Sequence, residues 1–580
     1  MKKFFTLIAF IFISSNLQAQ QNMPHSLLQK ERNLIPDYLR ASSNRSNSND
    51  APPLPVRTPA EWEEAQALLV AWTSYPEILA QIIQYAQEEV PVYVVTTNPT
   101  QVTNFLSNAD ISTDNVYFIE QDFNSIWIRD YGPWSVYANE VDSLWIADWI
   151  YNRPRPKDDV IPQAVATAFD LPIFEAVEEP EDLVHTGGNF MVDGWGTGFS
   201  SSLIVEENPD KTVEDIDNIL HDYLGIDRQI IMEKLPYDGI HHIDMHMKLL
   251  DEETLLVGEY PNGVADGPQI EANIAYIQQN YPNAFGKPYK IIRIPMPPEN
   301  GLYPDTFGDY RTYTNAIFIN KTLLVPTYEE TYDTTALRIL QENLPGYKVK
   351  GINCNDIIPS LGALHCITKL VMSDDPLWIS HQKVQSSYNL STYPVNAYIA
   401  NKEGVSGALV HYRVKGESEF SILSMQTSDT ENWYNWTAQI PYYPSGTTIE
   451  YYIEAFANSG KSQRKPISAP EGFYKFTVTD DGTVGLEDLY PSHTNTSLSV
   501  LPNPASTATL ITLKNIPQKW GKVSLLDFLG REISIIEEGI FANDNLSIPF
   551  STLPYANGIY FIKYETQEGF SLLEKIIIHQ

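Results

Sequence analysis

The chain has 580 residues, 43% hydrophobic and 19% charged, with 73 acidic against 38 basic side chains and a formal net charge of −35. This is the composition of a globular protein too long for one hydrophobic core, so a disordered or fibrous chain is excluded. The acidic excess argues against nucleic-acid binding, which needs basic surface against phosphates, and it steers cationic ligands inward, although any acidic secreted protein shares it.

In chain order, "MKKFFTLIAFIFISSNLQA" pairs Lys2 and Lys3 with an apolar run too short to span a membrane and a small-residue site at Leu17-Gln18-Ala19. Residues 1–19 read as a secretory signal peptide, which predicts a secreted or cell-surface protein. No later segment carries the roughly 20 apolar residues of a membrane span. Residues 20–50 end in a Ser/Asn/Pro-rich stretch and read as a prosegment or a linker.

From 51 to 375 helical and strand patterns alternate. Ile78, Leu79, Ile82, Ile83 and Ala86 form one helical face opened by Pro76 and followed by the buried run "VYVV". The pairs "VEDIDNILHDYLG"/"QIIM" and "TALRILQENLPG"/"YKVKGI" repeat it. The strand–turn–strand pieces "NFMVDGWGTGFSSSLIV", "MKLLDEETLLVGE" and "NAIFINKTLLVP" lie between such pairs. This predicts one α/β domain, either a ring of repeated units or an open doubly wound sheet. Residues 376–480 read as an immunoglobulin-like β-sandwich, 481–498 as a polar linker and 499–580 as a second small β-sandwich. Neither β module clusters catalytic residue types.

The chemistry concentrates in three places. In "GIHHIDMHMKLL" a strand period of two puts His242, Asp244 and His246 on one face. A metal site, an acid–base histidine beside a cation-gripping carboxylate, and a polar edge strand all fit that pattern. In "NSIWIRDYGPW", Asp130 is placed near a strand end before a Gly-Pro turn. In "SLGALHCITK", Cys366 is one of only two cysteines, the other being Cys354. Export permits a bridge between them; a working thiolate instead needs a cationic neighbour or a lowered pKa. Should Cys366, His242, Asp130 and Asp244 share a cleft, two carboxylates pair with a planar cation, a thiolate attacks its carbon and an imidazole shuttles protons.

With these residues in hand, the order "AEWEEAQALLVAW", "WIRDYGPW", "HTGGNFMVDG", "HHID", "TYTNAIFIN", "GALHC" resembles the bacterial, Porphyromonas-type peptidylarginine deiminases of the guanidino-group-modifying superfamily that includes agmatine deiminases. The resemblance implies a pentein fold, a five-bladed α/β propeller. It also implies Cys366 as nucleophile, His242 as general acid/base, Asp130 and Asp244 on the guanidinium, and Asn315 lining the site. "YNRPRPKDD" is similar to the family's Arg-Pro-Arg-Pro segment, so Arg153 and Arg155 are expected to capture a peptide's C-terminal carboxylate. The alternative for that pair is local ion pairing with Asp158 and Asp159. Trp127 is expected either on the arginine stem or in the core. "PNPA…NGIYFIKY" resembles the C-terminal sorting domain of type IX secretion, whose machinery is then a partner.

The expected activity is hydrolysis of peptidyl arginine to citrulline with no cofactor or metal required. A structural calcium is left open, since no EF-hand pattern occurs. The competing readings are an agmatine or free-arginine deiminase, a metal-dependent hydrolase on His242, Asp244 and His246, and a non-catalytic surface adhesin. His241 and His246 are expected to be structural.

Overall fold

The computed structural model describes residues 23–42, 51–388, 391–427, 435–479, 497–514, 516, 520–526, 531–541, 545–566 and 571–579. The expected signal peptide, 1–19, and nearly all of the 481–498 linker lie outside the described residues. Chain contacts separate two units, one of residues 1–385 with 389–478, the other of 479–580 with 386–388.

The first unit is built from a repeated ββαβ element. Strand Thr197–Ser201 pairs antiparallel with Met191–Val192, helix Val213–Leu224 follows, and Arg228–Met232 returns parallel, Phe199 opposite Ile230. The same order recurs in Met247–Asp251, Thr254–Glu259, Gly267–Asn280 and Lys290–Pro295. It recurs again in Ile317–Ile319, Thr322–Thr327, Glu330–Asn343 and Lys348–Asn353. A fourth copy runs through Trp134–Ala138, Leu144–Tyr151, Ile161–Phe169 and Ile173–Ala176. In the fifth, strand Ala65–Ala71 pairs antiparallel with Lys369–Met372, 300 positions on at Leu69 and Lys369, and parallel with Val92–Thr96. The two ends of the repeat region therefore meet in one sheet, a long-range pairing that fixes where Cys366, three residues before Lys369, must lie.

Local chemistry dictates these elements. Pro76 opens helix Pro76–Ala86, and Ile78, Leu79, Ile82, Ile83 and Ala86 are all buried at helical spacing. Thr212 and Asp215 form a capping box at the start of Val213–Leu224. Gly225 ends that helix at φ +65°, where a Cβ would stand 1.8 Å from the Val56 carbonyl oxygen, so only glycine fits. One expectation needs correcting: "SSSLIV" does not extend the strand, which stops at Ser201, because the chain turns into helix Leu203–Glu207.

Residues 376–479 form two antiparallel sheets. One holds Trp378–Ser380, Thr392–Ala400, Asn435–Pro441 and Gln426–Thr427; the other holds Tyr474–Thr479, Thr448–Ala457, Val405–Val414 and Ser421–Ser424, with Ser462–Lys465 on Thr448–Ala457. Inward residues such as Tyr393, Val395, Val410, Ile449, Tyr451 and Phe476 make their shared core. Lys383–Asp251 at 2.5 Å, Lys465–Glu252 at 2.7 Å and the Arg57 guanidinium 3.8 Å from the Trp378 ring centroid fasten this module to the α/β repeats. The second unit carries two further antiparallel sheets around Ile511, Leu513, Val523, Leu525, Ile562, Tyr564 and Ile576. Among the described residues no helix is long and apolar enough to cross a membrane.

Candidate active site

Asp130 does not sit at a strand end. Residues Ile128–Tyr131 form a single helical turn between strands Val116–Glu120 and Trp134–Ala138, and the Gly132 amide closes it on the Ile128 carbonyl. The Arg129 amide donates to the Cys366 carbonyl at 3.2 Å and Arg129 Nε to the His365 carbonyl at 3.2 Å, so this turn is tied to the cysteine turn. The Gly188 amide donates to Asp130 Oδ1 at 3.1 Å; a Cβ there would reach within 2.4 Å of His242 Nδ1. Glycine is the residue that lets carboxylate and imidazole approach over its backbone.

The strand expected through His242, Asp244 and His246 is instead a 3₁₀ turn over Ile243–Met245, with the strand starting only at Met247. The chain turns before pairing begins, so the three side chains do not share a face. His242 Nδ1 lies 3.6 Å from Asp130 Oδ1, whereas Asp244 Oδ2 bonds His365 Nδ1 at 2.7 Å. His246 is buried with neither ring nitrogen bonded, and burial pushes it down to about 4. The ligand set His242/Asp244/His246 is therefore not assembled. Among the described residues the grouped donors are those of His25, Asp130 and His242, within 4.8 Å of one another. His25 Nε2 and Asp130 Oδ2 are in direct contact at 2.5 Å, closer than two ligands each about 2 Å from a tetrahedral zinc would stand.

Cys366 and Cys354 are both free, so the bridge between them is not formed. The Cys366 thiol points at Asp244 Oδ2, 3.6 Å away, and Asn315 Nδ2 lies 3.1 Å from Sγ. Asn315 Oδ1 accepts from the His365 and Ala363 amides, which fixes the cysteine turn around it. Cys354 Sγ donates to the Ile352 carbonyl at 3.4 Å and has no part in this cluster.

All of these groups are buried, and burial sets their charge states. It pushes the Cys366 thiol well up, with the charges of Asp244 and Asp130 adding to the rise. It pushes His242 down to about 3, and neighbouring His25 lowers it further, against the pull of Asp130 and Asp244. Burial alone would raise Asp130, but His25, His242 and Arg153 hold its carboxyl well below the usual range. Asp244 Oδ1 is buried and accepts no hydrogen bond, an open acceptor beside the sulfur.

The Arg153 and Arg155 guanidinium groups are buried and do not hydrogen-bond to the Asp158 or Asp159 carboxylates, although the Arg155 carbonyl accepts from both aspartate amides, at 2.9 and 3.2 Å. Asp158 accepts from Asn124 and Ser125, and Asp159 from Ser42 and the Tyr151 amide. Arg155 Nε donates to Glu31 Oε1 at 2.9 Å and its Nη2 to the Pro24 carbonyl at 2.8 Å; Arg153 Nε donates to the His25 carbonyl at 3.2 Å. Trp127 is fully buried, donates Nε1 to the Met23 carbonyl at 2.9 Å, and stacks on the His25 ring at 4.2 Å and 6°.

Three contributors had no role assigned from the sequence. His365 bridges Asp244 and Glu61, its Nε2 2.7 Å from Glu61 Oε2. Glu61 also pairs with Lys248 at 2.5 Å and Arg129 at 3.2 Å. Both lie inside quoted motifs, but a glutamate in "AEWEE" gives no sign of a partner 304 positions away. The third is His25, which nothing in "NMPHSLL" marks.

A family model described as Porphyromonas-type peptidyl-arginine deiminase matches residues 57–371, more than half of the chain, and one described as secretion system C-terminal sorting domain matches 499–579. A Shewanella baltica (strain OS185) protein provisionally named an agmatine deiminase is 28% identical over 384 residues, 57% of this chain and 99% of its own length. One from Shewanella sp. (strain W3-18-1) with the same provisional name is 26% identical over 361 residues, covering 54% and 93%. A Porphyromonas gingivalis structure, solved under the provisional name arginine deiminase, is similar with a TM-score of 0.50 at 22% identity, over 55% of this chain and 99% of that one; this likeness speaks to the fold alone.

Proposed function

The chain belongs to the Porphyromonas-type peptidyl-arginine deiminase family, hydrolases of guanidino C–N bonds, and carries a type IX sorting tail that marks it for export; on that premise we propose that it converts C-terminal peptidyl arginine to citrulline. The ββαβ repeats are then the blades of a pentein propeller, and the 376–480 module is an immunoglobulin-like accessory.

The observation that supports the reading is a buried cluster of groups suited to this chemistry. A thiol lies 3.6 Å from one carboxylate, an imidazole 3.6 Å from a second, and Arg153 and Arg155 are buried, bonded to the same N-terminal stretch whose His25 contacts Asp130. A guanidinium between Asp130 and Asp244 fills the free Asp244 Oδ1 and offsets the charges that keep the thiol protonated. Cys366 gives its proton to His242, and Sγ then adds to the guanidinium carbon. The C–N bond to an amino group breaks with a proton supplied through His242, and ammonia leaves an S-alkylthiouronium. Water deprotonated by His242 adds to that carbon, the C–S bond breaks, the sulfur leaves as thiolate, and citrulline remains.

Arg155 favours a substrate with a carboxylate, because it already holds one, from Glu31, at 2.9 Å. Agmatine has none to offer. The test compares a peptide ending in arginine, its C-terminal amide and agmatine, following citrulline-type product. The acid is expected to exceed the amide in kcat/KM, and Arg155→Ala to cut that ratio about tenfold or more, as loss of a charge-assisted bidentate contact does. The ratio does not depend on how many molecules have an open cleft. Equal turnover of acid and amide overturns the carboxylate preference. No product from any of the three, with Cys366 shown by alkylation to be reachable, overturns the deiminase reading.

A further inference from the structure

Within the described N-terminal residues, 23–42, the stretch Met23–Glu31 bonds to Asp130, Trp127, Arg153 and Arg155, contacts resembling those a substrate needs. His25 is fully buried. Its Nε2 meets Asp130 Oδ2 at 2.5 Å and its Nδ1 meets the Leu361 carbonyl at 2.8 Å. Both ring nitrogens face oxygen acceptors, so the flat ring presents two nitrogens to oxygens as a guanidinium does. The ring lies flat on Trp127 and edge-on to His242 at 4.9 Å. A Cβ on Gly362 would stand 3.1 Å from His25 Nδ1 and 3.2 Å from Cys366 Cβ, so the ring and the cysteine border the same small space.

Six residues on, Glu31 places a carboxylate, 3% exposed, on Arg155. The backbone leading into His25 is held as a bound peptide would be: the carbonyls of Met23, Pro24 and His25 accept from Trp127, Arg155 and Arg153. The helical turn Gln29–Arg32 and helix Ile35–Ser42 anchor the rest. The Leu28 amide donates to Glu31 Oε2, Tyr38 packs with Ile150, Val177 and Val184 and donates to the Tyr151 carbonyl, and Ser42 donates to Asp159.

We infer that residues 23–42 are an intramolecular inhibitor that occupies the active site as a substrate mimic, with the His25 ring in place of the guanidinium and Glu31 in place of the substrate carboxylate. The inference rests on the reading of the cleft given above. A tethered segment competes at an effective concentration of order millimolar, so even modest contacts keep the cleft shut until the segment is displaced or removed. The carboxylate that would grip substrate is held by His25, and Cys366 is fully buried.

The test uses the full chain and two readouts, alkylation of Cys366 by chloroacetamidine, a small amidinium electrophile, and turnover of a peptide ending in arginine. His25→Ala, and separately Glu31→Gln, are expected to speed alkylation about tenfold or more, the scale set by losing a buried charge-assisted contact. A synthetic peptide of Met23–Ser42 added to His25→Ala is expected to slow alkylation again, whereas the same peptide with alanine at position 25 does not. Equal alkylation rates in wild type and both variants, at unchanged melting temperature, overturn the inference. So does a wild-type peptide without effect at millimolar concentration. The two readings fail separately. Faster alkylation without citrulline keeps the inhibitor and removes the substrate assignment; equal citrulline production by wild type and variants keeps the enzyme and removes the inhibitor.

Discussion

Cys366→Ser is expected to lower kcat by about four orders of magnitude or more while leaving the thermal midpoint nearly unchanged. The two side chains differ by one atom, so the buried packing survives, and the Asn315 amide can bond a hydroxyl where it now lies 3.1 Å from sulfur. What is lost is nucleophilicity. On the proposed mechanism, a guanidinium between Asp130 and Asp244 brings a thiol into its titration range but leaves an aliphatic hydroxyl protonated. Ammonia release on a peptide ending in arginine reads the first effect and a melt reads the second. Cys354→Ala, with its thiol on the Ile352 carbonyl, is the control and should turn over like wild type. Retained turnover in the serine variant would remove the covalent route.

The parts of this molecule visible in the sequence are those where a local pattern is the physical cause. The stripe Ile78, Leu79, Ile82, Ile83, Ala86 is a helix because burial of that face drives it, and the alternation of such stripes with short apolar runs recurs in the folded repeats. Cys366, His242, Asp130 and Asp244 could be nominated because few residue types do this chemistry. How they meet was not legible. "HIDMH" alternates like a strand, yet the backbone turns at Ile243–Met245 and sends His242 toward Asp130 and Asp244 toward His365. Alternation is a statement about faces only where strand pairing exists, and pairing here begins at Met247.

The other omissions are long-range electrostatics. Arg153 and Arg155 invited two carboxylates close by in sequence, Asp158 and Asp159, but those are taken by backbone amides and hydroxyls. The partner of Arg155 lies 124 positions upstream, in a stretch whose composition reads as a spacer. A buried ion pair depends on which segments the fold brings together, and no window of sequence contains that information. The same holds for His25 and Asp130, 105 positions apart.

Glu61→Gln is expected to destabilise the chain by about 3 kcal/mol and to raise KM as well, because Glu61 anchors charges that the site depends on. Its carboxylate receives Lys248 at 2.5 Å, His365 at 2.7 Å and Arg129 at 3.2 Å, and Oε1 accepts the Phe318 amide at 3.1 Å. An amide of the same shape leaves Lys248 and Arg129 buried without a counter-charge. It also weakens the grip on His365, whose other nitrogen bonds Asp244 at 2.7 Å, so on the proposed mechanism Glu61 acts as a positioning residue for the guanidinium subsite. The pH dependence separates this from a packing defect. Burial would raise the Glu61 carboxyl, yet Lys248, His365 and Arg129 hold it well below the usual carboxylate range. A carboxyl whose folded pKa is depressed contributes its full stabilisation above the unfolded pKa and loses it as pH falls through the folded one. The deficit of Glu61→Gln should therefore be complete at neutral pH and shrink only in acid, below the ordinary carboxylate range. Urea denaturation of both proteins across that range measures it, and a deficit independent of pH would show that packing, not charge, is what Glu61 supplies.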